Sequence, residues 1–135
     1  MEGRLHLELA TPTRLVVSEE VEEVVAPGLL GYFGVLPGHA PFLTTLGVGE
    51  VIYRRDGREH YLAVTGGFAE VGPERVIILA ETAERSEEID TGRARTALER
   101  AEGRLAGRAR EEIDYDRALR ARTRAATRLQ VAGRR

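Results

Sequence analysis

The chain has 135 residues, 31% of them charged, with a formal net charge of −2, which allows one ordinary core or a small core with an appendage. It contains no cysteine, excluding a disulfide framework and a cysteine-based metal site, and its apolar runs fall far short of the ~20 residues of a membrane span. Residues 1–85 carry 7 Arg and 13 acids, residues 86–135 carry 13 Arg and 9 acids, and all five Pro precede Arg75, so two subdomains with different jobs are expected.

Leu5, Leu7 and Leu9 alternate with His6 and Glu8, the period of a half-buried strand. Thr11 and Pro12 mark a turn, and Leu15 to Val17 form a short strand. Val21 to Ala26 is rich in β-branched residues and ends at Pro27-Gly28, another strand followed by a turn. From Gly31 to Leu46, Gly31, Gly34, Pro37, Gly38 and Pro41 interrupt apolar residues, with His39 in the middle. This stretch reads as a tight corner whose apolar residues are held against a core. Gly47 to Tyr53 leads to Asp56-Gly57, a strong two-residue hairpin signal, and Tyr61 to Val64 returns from it. Gly66-Gly67 marks a bulge or a close strand approach before Phe68 to Val71. Gly72-Pro73 turns the chain into Val76 to Ala80, an apolar run suited to a central strand. Many short strands separated by turns predict a β-sandwich or barrel over residues 1–85.

Beyond Ser86 the period becomes helical. Ala94, Ala97, Leu98, Ala101 and Leu105 share one face of a first helix; Ala118, Leu119, Ala125, Ala126 and Leu129 share one face of a second. Each opens with the string Glu-Glu-Ile-Asp-x-x-Arg-Ala, and the copies lie 24 residues apart at Ile89 and Ile113. In each, the Asp is placed to cap the helix. The pattern predicts an antiparallel helical hairpin turning near 108–112. Its apolar faces are mostly Ala, and Gly92, Gly103 and Gly107 each cost about 1 kcal/mol relative to Ala. Such an element is expected to detach from the sandwich more readily than the sandwich unfolds.

Catalytic signals are sparse. His6, His39 and His60 are scattered, and none has a neighbour at metal-ligand spacing. With no Lys in the chain, a phosphate-binding loop ending in Gly-Lys is excluded. His39 is a candidate general base or, alternatively, a histidine whose ring nitrogens satisfy backbone groups. Arg93, Arg100, Arg104 and Arg108 recur at helical spacing on the first helix, as do Arg117, Arg120, Arg124 and Arg128 on the second. These stripes are either a solvated face paired with Glu99, Glu102 and Asp116, or an anion pocket formed where the helices meet. Guanidinium groups bind phosphate oxygens bidentately, so the second reading fits a polyphosphate; the same stripes could grip an acidic protein surface. Nucleic acid is disfavoured, because no aromatic platform accompanies the Arg residues.

Three motifs together, Gly31-Tyr-Phe-Gly-Val-Leu-Pro-Gly-His-Ala-Pro-Phe-Leu-Thr-Thr-Leu46, Val64-Thr-Gly-Gly-Phe-Ala-Glu-Val71 and Ile89-Asp-x-x-Arg-Ala94, resemble the epsilon subunits of F-type ATP synthases, called delta in mitochondria. The likeness covers essentially the whole chain. It implies an N-terminal flattened β-sandwich of about eight to ten short strands (1–85) and a C-terminal antiparallel two-helix hairpin (86–135). The implied role is a non-catalytic central-stalk subunit, peripheral to the cytoplasmic face of the cell membrane as part of the complex. It would bind the gamma subunit and the c-ring, couple proton flow to ATP synthesis, and inhibit ATP hydrolysis when its hairpin extends to the alpha and beta subunits. The resemblance places a rotor interface at Tyr32 and His39. It requires no cofactor, and gives ATP as a regulatory ligand of the folded hairpin, with Glu84, Ile89, Asp90, Arg93, Ala94, Arg100, Arg124 and Arg128 at the site. A stand-alone nucleotide-sensing module is the alternative from a different class.

Overall fold

The computed structural model describes residues 3–107 and 114–134. Two compact units divide the chain, Met1–Glu84 and Arg85–Arg135.

The first unit is built on β1 (Leu5–Ala10), β2 (Leu15–Val21), β3 (Glu23–Gly28), β4 (Gly31–Val35), β5 (Phe42–Arg55), β6 (Arg58–Val71) and β7 (Arg75–Ala80), with β8 (Ala83–Arg85) paired to β6. Hydrogen bonding runs continuously in the order β2-β1-β7-β6-β5-β3-β4. All pairings on that path are antiparallel except β1 with β7, which is parallel. The long strands β5 and β6 are common to both layers of the sandwich. Their ends near Phe42 and Val71 join the β7-β1-β2 side, and Glu23 to Val25 of β3 pair with β5 at Ile52 to Arg54. Alternation in β1 sends Leu5, Leu7 and Leu9 inward at 0% exposure; Val24, Val51, Leu62, Val64, Val76 and Ile78 meet them in one apolar core.

The expectation of uniformly short strands is overturned, since β5 and β6 each run for 14 residues. Gly47 and Gly49 lie inside β5, and Gly66 and Gly67, expected to mark a bulge or a close strand approach, lie inside β6. At Gly67, φ is +119° and a Cβ would collide with Leu79 O of the neighbouring β7, so only glycine fits. Asp56 and Gly57, with φ of 52° and 78°, form the two-residue turn that closes Arg55 on Arg58.

The Gly31 to Leu46 stretch is not a corner held against the core. It is strand β4, a turn at 36–41, and the start of β5. Only Val35 and Leu46 within it are buried apolar residues, while Tyr32, Leu36, Phe42 and Leu43 are exposed. Val21 to Ala26 is likewise divided: Val21 closes β2 and β3 begins at Glu23. Glu22 forms the break, its N–H donating to Arg54 O and its carboxylate accepting from the backbone of Asp56 and Gly57.

In the second unit, a 3-10 turn at Ser86–Glu88 precedes α1 (Thr91–Gly107), and α2 is Tyr115–Ala132. Arg128, late in α2, meets residues early in α1, so the helices run antiparallel. Ala94 and Ala101 are buried on α1, and Ala118, Ala125 and Ala132 on α2, all at seven-residue spacing. That period keeps small residues on one seam and lets the two helices approach closely. Ala126, expected on the apolar face, is exposed, and Val131 and Ala132 complete the seam instead. The expected turn at 108–112, with Arg108 and Ile113, lies outside the described residues.

Candidate arginine-lined site on the helical unit

Asp90 stands just ahead of α1. Its Oδ1 accepts the Arg93 N–H at 3.1 Å and its backbone O accepts the Ala94 N–H. Asp114 does the same for α2, its Oδ1 accepting the Arg117 N–H at 3.0 Å and its O the Ala118 N–H. Both copies of the Asp-x-x-Arg-Ala string therefore start a helix by satisfying its first orphan donors. Ile89 and Ala94 are buried apolar residues, at 3% and 0% exposure.

The cap fixes the first turn, and from it the spacing of α1 presents Gly92, Arg93, Thr96, Ala97 and Arg100 to one open pocket of about 430 Å³. Arg128 of α2 completes the lining. Three arginines and three small residues thus line it, and none of the lining residues is acidic. An environment of this kind favours a polyanion with spaced charges, because each guanidinium offers a planar fork of donors and no acceptor.

Of the residues marked in the sequence, the structure brings Arg93, Arg100 and Arg128 together around this pocket. Ile89, Asp90 and Ala94 build the helix that carries it. Arg124 is exposed on α2 and outside the lining; Glu84 is half-buried in β8, within the other unit. Gly92 and Thr96 were not marked as site residues. The available signal was spacing: Thr96 lies four residues from both Gly92 and Arg100, hence on their face.

The histidines are elsewhere. His39 donates through Nδ1 to the adjacent Ala40 O at 2.6 Å, in a turn tied down by Gly38 N–H to Pro73 O. His60 stacks on Tyr53, with ring centroids 4.9 Å apart, and His6 Nδ1 lies 2.7 Å from Glu20 Oε2. Tyr32 presents a half-exposed ring whose hydroxyl accepts the Glu50 N–H at 2.9 Å. Among the described residues, no helix is long and apolar enough to cross a membrane.

Fold and geometry together define a two-part protein, a β-sandwich unit followed by a helix pair with an arginine-lined pocket. Residues 4–86 match the family model for the β-sandwich domain of the ATP synthase delta/epsilon chain, and residues 87–133 match that for its long α-helix domain. The chain is 52% identical over 133 residues to the ATP synthase epsilon chain of Nitratidesulfovibrio vulgaris (strain DP4), covering 98% of each. It is also 52% identical over 134 residues to ATP synthase epsilon chain 2 of Syntrophotalea carbinolica, covering 99% of this chain and 97% of the other. A chain in the cryo-EM structure of the Euglena gracilis mitochondrial ATP synthase shares the fold, with a TM-score of 0.71 at 23% identity over 96% of this chain and 78% of that one. The chain belongs to the ATP synthase delta/epsilon family. It is an epsilon-type, non-catalytic subunit of that membrane-associated complex.

Proposed function

We propose that this subunit works in the central stalk, coupling proton flow to ATP synthesis, and that its helical pair is an ATP-responsive brake on hydrolysis. The sandwich binds the gamma subunit and the c-ring at the cytoplasmic face of the membrane, using the surface that carries Tyr32 and His39. Tyr32, Leu36, Phe42 and Leu43, large apolar side chains left exposed on β4, the turn after it and the start of β5, support that reading. The helical pair extends along gamma toward the alpha and beta subunits to block hydrolysis. ATP bound to the folded pair opposes this.

The observation that carries the regulatory part is the convergence of Arg93, Arg100 and Arg128 on one pocket from both helices. A ligand gripped by both helices binds only while they are paired, and it shifts the equilibrium by its differential affinity. Asp90 presets the first turn, and Ile89 and Ala94 anchor it. Arg124 and Glu84 are assigned to the same site by resemblance. Full-length similarity to ATP synthase subunits favours this role over a stand-alone nucleotide sensor.

The test is ATP hydrolysis by the reconstituted complex with and without residues 86–135. Truncation is expected to raise hydrolysis several-fold and to leave proton-driven synthesis intact. Equal hydrolysis by both complexes would remove the brake and leave the coupling role standing.

A further inference from the structure

The helical unit is an internal repeat. Advancing α1 by 24 positions brings Arg93, Arg100 and Arg104 onto Arg117, Arg124 and Arg128, and the buried Ala94 and Ala101 onto the buried Ala118 and Ala125. The copies are also built alike: each cap Asp holds the N–H three residues on, at 3.1 and 3.0 Å, and each backbone O holds the next N–H at 3.0 Å. Two like helices that pack antiparallel through matching seams are related by an approximate twofold axis normal to the plane of the pair. A register with Ala101 opposite Ala125 puts Arg128 level with Leu98, and Arg128 does line a pocket with Arg93 and Arg100. Rotation about that axis exchanges the helices and keeps the pocket's counterpart on the same broad face. It carries Arg93 and Arg100 onto Arg117 and Arg124, and Arg128 onto Arg104.

We propose that the helical unit has a second polyphosphate position, formed by Arg117 and Arg124 of α2 with Arg104 of α1. The inference rests on the reading of the first arginine pocket as a polyphosphate site. All three residues are exposed, and Ala121 is half-buried like its counterpart Ala97. Asp114 stands ahead of the second position as Asp90 stands ahead of the first. Two exchanges set the copies apart: Arg120 replaces Thr96 and Asp116 replaces Gly92. One adds a positive charge and the other a negative charge, so the attraction for an anion is kept. Resemblance gives Arg124 to the first site, yet it lies outside that lining, and the repeat makes it the counterpart of Arg100. Each position draws on both helices, so two bound ligands both favour pairing and the population shift steepens with ligand concentration.

The experiment is calorimetric titration of the full chain with inorganic tripolyphosphate at near-physiological salt, reading stoichiometry. The natural protein is expected to take up two equivalents. Arg104→Gln with Arg117→Gln, and separately Arg93→Gln with Arg100→Gln, are each expected to reduce this to one. Glutamine is a good helix former at exposed positions, and circular dichroism checks that helicity is unchanged. Arg95→Gln with Arg122→Gln removes the same charge from outside the stripes and is expected to leave two. Loss of an equivalent in that control would show diffuse charge attraction and overturn the assignment. A single equivalent, lost with Arg93 and Arg100 but kept without Arg104 and Arg117, would overturn the second position while the first stands. If the natural protein binds no tripolyphosphate, the polyphosphate reading falls and the second position with it.

Discussion

Tyr32 shows how one side chain can serve the sandwich internally and still face outward. Opposite Ala26 and Pro27, the β3–β5 register slips between Val25 and Gly28, and Pro27 has no N–H to offer. The Glu50 N–H finds its acceptor one strand further out, in the Tyr32 hydroxyl at 2.9 Å. Gly49 makes room for this reach, since a Cβ there would run into both Tyr32 and Pro27. Tyr32→Phe leaves the part-buried Glu50 N–H without its partner and is expected to cost about 1–3 kcal/mol, read as a lower midpoint in urea at unchanged slope. An unaltered midpoint would show that the hydroxyl contributes only to the surface. The sequence offered Tyr32 solely as an outward-facing residue, because a hydrogen bond across 18 positions leaves no periodic signature.

At the level of elements, α1 combines a good cap with poor interior residues. Gly103 sits in mid-helix, and a Cβ there would meet nothing within 4 Å. Gly103→Ala is therefore expected to stabilise the helical unit by about 1 kcal/mol, roughly fivefold in amide protection across α1. Unchanged hydrogen exchange would mean that helix propensity does not limit this unit. Much of the element pattern was legible in advance: the leucine alternation of β1, the Asp56-Gly57 turn, both caps, and the arginines that converge. What escaped has a common cause. The close strand approach expected at Gly66-Gly67 is present, but nothing local shows that Gly66 and Gly67 lie inside one 14-residue strand, or that Gly49 faces Tyr32 and Pro27. Thr96 escaped because an exposed threonine beside charged residues reads as solvated surface until a pocket forms around it.

For the whole molecule, the apolar core is contributed entirely by residues from Leu5 to Ala83, whereas the helical unit relies on an alanine seam that buries little area per residue. The two units should therefore differ in autonomy. A fragment of residues 1–85 is expected to retain a cooperative thermal transition with a β-type circular dichroism spectrum. A broad, non-cooperative melt of that fragment would show that the sandwich depends on the segment removed.

The shared pair β5 and β6 has a mechanical consequence. In a sandwich made of two separate sheets, the facing layers are joined by interdigitating side chains and not by backbone hydrogen bonds. Here a single ribbon of paired strands crosses from one layer to the other, held in register from Phe42 opposite Val71 to Arg55 opposite Arg58. Slippage between the layers would require rupture of backbone hydrogen bonds along that ribbon. Torque applied at one face therefore reaches the opposite face as rotation of a stiff body, with little of it lost as internal shear.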